Sequence, residues 1–225
     1  MNKKILFIAV HPDDETLGCG GTILKHKEAG DEITWLIITG IRCHPSGRWD
    51  DKAAEERDSI VNQVANEYHF DHVVDMGLPT TMLDKLDLGK IVASIGTEID
   101  KIKPDVVYMM FQNDVHSDHR VAFSAVYSCL KSFRRPYIKR VLMFEALSET
   151  EFAVSNPANS FVPNVYVDIT RFMEDKIRIM TLFKSEIMQV PYPRSLSSIK
   201  ALGRYRGTRA GVEYAEAFML IYEQL

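Results

Sequence analysis

Short, unbroken apolar runs alternate along the chain with longer stretches of helical periodicity. Residues 5–10 (ILFIAV) form one such run, closed by a charged stretch, the mark of a strand buried on both faces. Residues 32–39 (EITWLIIT) and 105–111 (DVVYMMF) read the same way, and 72–76, 140–145 and 165–169 give shorter strands. Between them, residues 16–29, 52–68, 86–103, 118–133 and 171–184 read as helices. In the third of these, Leu88, Ile91, Val92, Ile95, Ile99 and Ile102 form a stripe of helical period that stops before Pro104. Gly30 closes the first helix as a C′ residue. Residues 150–163, with Asn156, Pro157, Asn159 and Pro163, read as loop. The pattern weakens after Met188: Pro191 and Pro193 precede a short helical stretch, then glycines and three arginines fill residues 203–211. The order β-α-β-α-β-α-β-α-β-β-α predicts an α/β fold, Rossmann-like, with a mostly parallel sheet and helices on both faces. One domain, 1–225, accounts for the whole pattern. Ligands of such sheets bind at the carboxyl ends of the strands, so residues that follow strands are the ones to search.

Composition narrows the class. Hydrophobic residues are 46% and charged residues 26% of 225, which excludes a disordered tail, a collagen and a coiled coil. A net charge of −4 supplies no basic field, so no nucleic-acid partner is expected. Cys19, Cys43 and Cys129 are an odd count with no CxxC spacing, which argues against a disulfide framework and a cysteine zinc site; reduced thiols are expected. The apolar run after Lys3 and Lys4 is too short for a signal peptide. No run approaches about 18 apolar residues, so no membrane span and a cytoplasmic location are expected. A homo-oligomer stays open.

Two polar constellations follow strands. His11, Pro12, Asp13, Asp14 and Glu15 come directly after the first. A histidine at i and an aspartate at i+3 in a turn can face one ion, leaving Asp13 free as a base. The same acids also suit the start of the next helix. Asn113-Asp114-Val115-His116-Ser117-Asp118-His119-Arg120 follows the fourth strand. Imidazoles and a carboxylate from two strand ends make a three-ligand site with an open position, the catalytic rather than the structural zinc pattern. Spacing does not choose between His116 and His119 as the ligand. His26, His69 and His72 read as surface or packing residues, and His44 as loop. Gly18-Cys19-Gly20-Gly21 lacks the third glycine of a dinucleotide fingerprint, Ile23 standing there, so these glycines are expected to let the helix approach the sheet.

The segments AVHPDDETLGCGGTI and HSDH resemble the two signature motifs of the PIG-L/LmbE-like zinc deacetylases, which remove N-acetyl groups from amino sugars and sugar conjugates. Gly211-Val212-Glu213-Tyr214-Ala215-Glu216-Ala217-Phe218 is similar to that family's C-terminal segment. Ser117 stands where the family usually has proline, and Ile60 where a glutamate usually follows the arginine matched by Arg57. The resemblance implies that His11, Asp14 and His119 bind Zn2+ and that Asp13 is the general base. It implies that His116, partnered by Asp118, sits protonated beside the developing oxyanion. Either Asp13 or His116 would then protonate the leaving amine.

Substrate contacts are expected from Arg57, Tyr214, Trp49 and Arg204. Trp49 offers a platform for a sugar ring. Arg42 and Arg48 follow the second strand, and Arg204, Arg206 and Arg209 cluster near Tyr214. If they approach the mouth of the site, the N-acetylated sugar carries a phosphate or nucleotide, because arginine forks suit phosphate. A phosphate-ester metallohydrolase would need more carboxylates at strand ends. A non-enzymatic sugar- or metal-binding protein would have no use for Asp13 beside a ligand.

Overall fold

The winding of the sheet turns around its first strand. A computed structural model describes residues 2–42, 44–154 and 156–225. Its elements are β1 (Lys4–Ala9), α1 (Asp14–Glu28), β2 (Glu32–Gly40), α2 (Asp51–Tyr68), β3 (His72–Pro79), α3 (Leu88–Ile102), β4 (Val106–Met110), α4 (Ser117–Cys129), β5 (Arg140–Phe144), β6 (Val165–Asp168), α5 (Met173–Met180), α6 (Leu196–Ala210) and β7 (Ala215–Glu223). They build a seven-stranded sheet in the order β3-β2-β1-β4-β5-β7-β6. The chain runs outward from β1 to β2 and β3, then crosses back to the other side of β1 with β4 and β5, all parallel. Right-handed crossovers taken in opposite directions put α1 and α2 on one face and α3 and α4 on the other. Residues Ile5 to Val10 of the central strand have no exposed surface, as their unbroken apolar run requires. The expected α/β architecture is therefore present.

The end of the chain departs from the expectation. Residues 196–210 form one continuous helix, although Gly203 and Gly207 read as breakers, because the helix packs against β6 and β7. The segment after it, containing Glu216 and Phe218, is a seventh strand that runs antiparallel to both β5 and β6. Cys19 and Cys129 are free and buried, as expected, and Cys43 lies outside the described residues. Among the described residues, no helix is long and apolar enough to cross a membrane.

The glycines of α1 serve close packing. A Cβ at Gly18 would collide with the Phe144 ring, and one at Gly21 would lie 2.6 Å from Ile169. The contact surface is completed by charge. Glu216, 5% exposed, projects from β7 into α1. Its carboxylate accepts the N–H of Gly21 at 2.9 Å, the N–H of Thr22 at 2.7 Å and the Thr22 hydroxyl at 2.6 Å. Lys176 of α5 donates to the same carboxylate at 2.6 Å and to the Leu17 carbonyl at 2.8 Å. One satisfied ion pair thus joins α1, α5 and β7, and it holds α1 about two turns beyond its N-terminal acids.

Removing one partner of such a pair leaves a buried charge unmatched, which costs about 3–5 kcal/mol. Glu216→Ala is expected to lower the free energy of urea unfolding by that amount. A loss below about 1 kcal/mol, the scale of a surface ion pair, would show that the clamp carries little of the fold.

Candidate active site

β1 and β4 lie side by side, but their following connections leave in opposite directions, and a crevice opens at their carboxyl ends. β1 delivers residues 11–14 to this crevice, and β4 delivers residues 114–119.

His11, Asp14 and His119 each offer one ligand atom here, and these atoms lie within 4.8 Å of one another. Oδ2 of Asp14 accepts the N–H groups of Val10 at 3.0 Å and His11 at 2.9 Å, which fixes the carboxylate. His119 is fully buried, and its Nδ1 bonds to Oδ2 of Asp114 at 2.8 Å. Oδ1 of Asp114 in turn accepts the Thr150 hydroxyl at 2.6 Å. This chain fixes the ring and leaves Nε2 3.4 Å from Oδ2 of Asp14. Nε2 of His119 and Oδ1 of Asp14 are buried with no hydrogen-bond partner. Buried orphans are costly, and a divalent cation between imidazole and carboxylate donors removes the cost. The donor set therefore fits a metal ion. A second group, His11, His116 and Asp118, fits less well. Both Asp118 oxygens already accept backbone N–H groups, from Thr81 at 2.5 Å and Leu83 at 3.1 Å.

Asp13 occupies the N-cap position of α1 but makes no side-chain cap bond. The Asp13 carboxylate therefore does not cap the helix, while Asp14 and Glu15 occupy its first turn. Its φ of 154° is positive, a backbone state that costs a non-glycine residue about 1–3 kcal/mol. The Leu17 N–H, donated to the Asp13 carbonyl at 2.8 Å, and the Asp13 N–H, donated to Glu15 Oε2 at 3.1 Å, hold it there. Oδ2 of Asp13 receives Nη1 of Arg194 at 2.8 Å, and Oδ1 is buried without a partner.

The expected pairing of His116 with Asp118 takes a different form. The backbone N–H of Asp118 donates to Nδ1 of His116 at 3.1 Å, making His116 the N-cap of α4. The Asp118 carboxylate instead reaches Nε2 of His11 at 3.3 Å. A ring that accepts at Nδ1 carries its proton on Nε2. Burial, and then the neighbouring His11, push the His116 pKa down to about 4, so the expected protonated imidazolium is replaced by a neutral donor.

Other groups follow their surroundings. Burial opposes ionisation of Asp14, but His119 and His11 outweigh it and hold the carboxyl below its usual range. Burial also works against a charged His119, yet Asp14 and Asp114 keep its pKa raised. Burial raises Asp13, against the pull of Arg194 and with the help of Asp14. Burial pushes Glu15 up to about 8 even though the Thr16 hydroxyl donates to it.

A cavity of about 490 Å³ opens onto His11, Asp13 and His116. Trp49, Ile41, Ile60 and Phe183 form an apolar wall, and Arg57, Glu149, Glu186 and Arg194 a charged one. Trp49 and Arg57 are thus brought to the site as expected. Arg57 is held by the Thr39 carbonyl and by Asp75 at 3.3 Å. Tyr214 and Arg204 are not brought there: Arg204 stacks on Tyr214 at 4.9 Å and pairs with Glu213 at 3.2 Å, outside the cavity lining. Arg206 makes two bonds to Glu145, at 2.7 and 2.6 Å, and Arg209 lines a different depression with Tyr166 and Tyr205. Arg42 is engaged by Asp58 at 2.5 Å. Arg42, Arg204, Arg206 and Arg209 thus do not gather at the cavity as expected, whereas Arg48 lies over the ring of the cavity residue Trp49 at 5.0 Å.

Sequence reasoning missed Asp114, Glu149, Glu186 and Arg194. Asp114 carried a signal, since a ligating histidine commonly needs a carboxylate on its second nitrogen and Asp114 lies five residues before His119. Arg194 sits in a proline-flanked connection and meets Asp13 across 181 positions, which no local pattern announces.

Residues 6–130 match the family described as PIG-L: GlcNAc-PI de-N-acetylase. The diacetylchitobiose deacetylase of Thermococcus kodakarensis is 25% identical over 97% of this chain and 83% of its own length. A conserved protein of Thermus thermophilus shares the fold with a TM-score of 0.78 at 24% identity, covering 99% of this chain and 96% of its own. The N,N'-diacetylchitobiose deacetylase of Pyrococcus horikoshii gives a TM-score of 0.76 at 20% identity, covering 98% and 84%.

Loss of a carboxylate behind a ligating histidine typically weakens metal binding by about 10–100-fold. Asp114→Asn is expected to weaken divalent-metal affinity in that range, read by competition with a chelator. Unchanged affinity would place the ion elsewhere than on His119.

Proposed function

Because the chain belongs to the PIG-L family of de-N-acetylases, we propose that it hydrolyses the N-acetyl group of an amino sugar, releasing acetate and a free amine. His11, Asp14 and His119 would hold Zn2+, and the orphaned donor atoms of Asp14 and His119 support that assignment. When bound there, such an ion polarises a carbonyl oxygen and lowers the pKa of a bound water to about 7.

The chain's own residues divide the remaining work. The observation that carries the reading is Asp13 Oδ1, buried without a partner in the cavity while Oδ2 is held by Arg194. A carboxylate fixed through one oxygen and free at the other is the base that takes the proton of the attacking water. The same proton returns to the amide nitrogen as the carbon–nitrogen bond breaks, so the amine leaves neutral and Asp13 is restored. Neutral His116, carrying its proton on Nε2, donates a hydrogen bond to the oxygen that becomes negative; one such donor is typically worth about 3–4 kcal/mol. Asp118 acts through its neighbours, its N–H orienting His116 and its carboxylate steadying His11.

Trp49 and the aliphatic wall suit the apolar face of a pyranose ring, and about 490 Å³ lies in the usual range for a small-molecule site. Arg57 and Arg194 are both neutralised by acids of this chain, so the substrate of this reading is an uncharged N-acetylated sugar rather than a phosphorylated one.

The zinc-loaded protein is expected to release acetate from N-acetylglucosamine or its short oligomers. Asp13→Asn is expected to keep the metal and lose about 10²–10⁴-fold in turnover, the share of a general base. Turnover near that of the unaltered protein would assign the base to another group.

A further inference from the structure

Three carboxylates converge on the single guanidinium of Arg194, an arrangement the hydrolytic chemistry does not require. Nη1 bonds to Asp13 at 2.8 Å and to Glu186 at 2.7 Å, and Nη2 lies 3.4 Å from Oε1 of Glu149. Nε is taken by the Ser148 hydroxyl at 2.7 Å. The cationic charge is thus outnumbered by carboxylates. It stays outnumbered when a divalent ion is counted together with Asp14.

Glu149 is the member least provided for. It is 6% exposed, lines the cavity, and its Oε1 receives only long contacts, from Arg194 and from the Ser148 hydroxyl at 3.4 Å each. Oε2 is buried and receives nothing. The backbone fixes its place, because the Glu149 carbonyl accepts the Val115 N–H at 3.2 Å, beside His116. A buried carboxylate oxygen left bare is unfavourable, and burial accordingly raises the Glu149 carboxyl. The arrangement lacks a cationic donor small enough to enter the cavity.

We infer that Glu149 and the carboxylates around Arg194 form a subsite for an ammonium group, with Glu149 Oε2 receiving the nitrogen of an amino sugar. The inference rests on the deacetylase reading for the source of that nitrogen, since the reaction creates a primary amine in this cavity. Before cleavage, the same oxygen accepts the amide N–H of the substrate; afterwards the acetic acid formed with the neutral amine gives up its proton, and the oxygen binds the resulting ammonium. The ligand class is therefore amino sugars and partly deacetylated oligosaccharides, and phosphate esters are disfavoured by the same acids.

Calorimetric binding of glucosamine and of glucose to the zinc-loaded protein tests this, because the two rings differ in the amine. A charge-assisted hydrogen bond corresponds to about 10–150-fold in affinity. Glucosamine is expected to bind tighter than glucose by that factor. The preference is expected to fall below about threefold in Glu149→Gln, which keeps the shape and removes the charge, and to persist in part in Glu149→Asp. Equal binding of the two sugars by the unaltered protein would overturn the inference. So would a preference that survives Glu149→Gln, which would assign the amine to the metal or to Asp13 alone. Acetate release from N-acetylglucosamine, measured separately, reports on the deacetylase reading without reporting on the subsite.

Discussion

The change in winding direction between β1 and β4 is the constraint on which the site depends. Adjacent parallel strands whose connections leave to opposite faces cannot close over their own carboxyl ends, and the gap between them is where residues 108 positions apart, His11 and His119, come together. Everything local follows from holding that gap open. The core strand is apolar from Ile5 onward, so the polar residues begin abruptly at its end. The N-cap and first turn of α1 must therefore supply Asp13 and Asp14 without a loop to spare, and Asp13 takes its strained backbone there.

The same crowding explains the electrostatic character of the site. Asp13, Glu15, Asp114 and Glu149 are carboxyls that burial pushes upward; Asp13 and Glu149 line the cavity, and Glu15 and Asp114 are buried behind it, bonded to Asp13 and His119. Each is a polar group the fold buries at a cost, against which the apolar burial of the β1 core stands. A protein that needed only to fold would replace these acids with apolar residues. Their presence beside imidazoles fits chemistry rather than packing.

Much of this was legible in the sequence, for identifiable reasons. A parallel strand buried on both faces is apolar over most of its length, so β1, β2 and β4 stood out, and the two polar constellations after β1 and β4 were found by following them; the choice of His119 over His116 came from the family resemblance. The last strand was missed because its neighbours and direction are set by β5 and β6, not by its own pattern. α6 was cut short because Gly203 and Gly207 break a helix by propensity but serve one that packs closely. The arginine cluster misled for a geometric reason: an offset of two on a helix turns Arg204 away from Arg206, Arg204 pairs with Glu213 and Arg206 with Glu145, and Arg206 and Arg209, three apart on one face, line a depression separate from the cavity. Arg194, Glu149 and Glu186 were invisible because their meaning is a long-range meeting around one guanidinium.

The position of that guanidinium along the chain has a consequence for how such a protein can diverge. Residues 6–130, the part that matches the family, contain His11, Asp13, Asp14, His116 and His119. Glu149 lies in the connection after β5, and Glu186 and Arg194 lie in the connection between α5 and α6, all beyond that span. Trp49 and Arg57 line the cavity from within the matching span, so the later connections add to recognition and also steady the reacting groups. Arg194 reaches back to Asp13 and Thr150 to Asp114, so the later connections can be recharged or exchanged for new sugars only where these two contacts are kept, and a change of substrate is tied to the groups that run the chemistry.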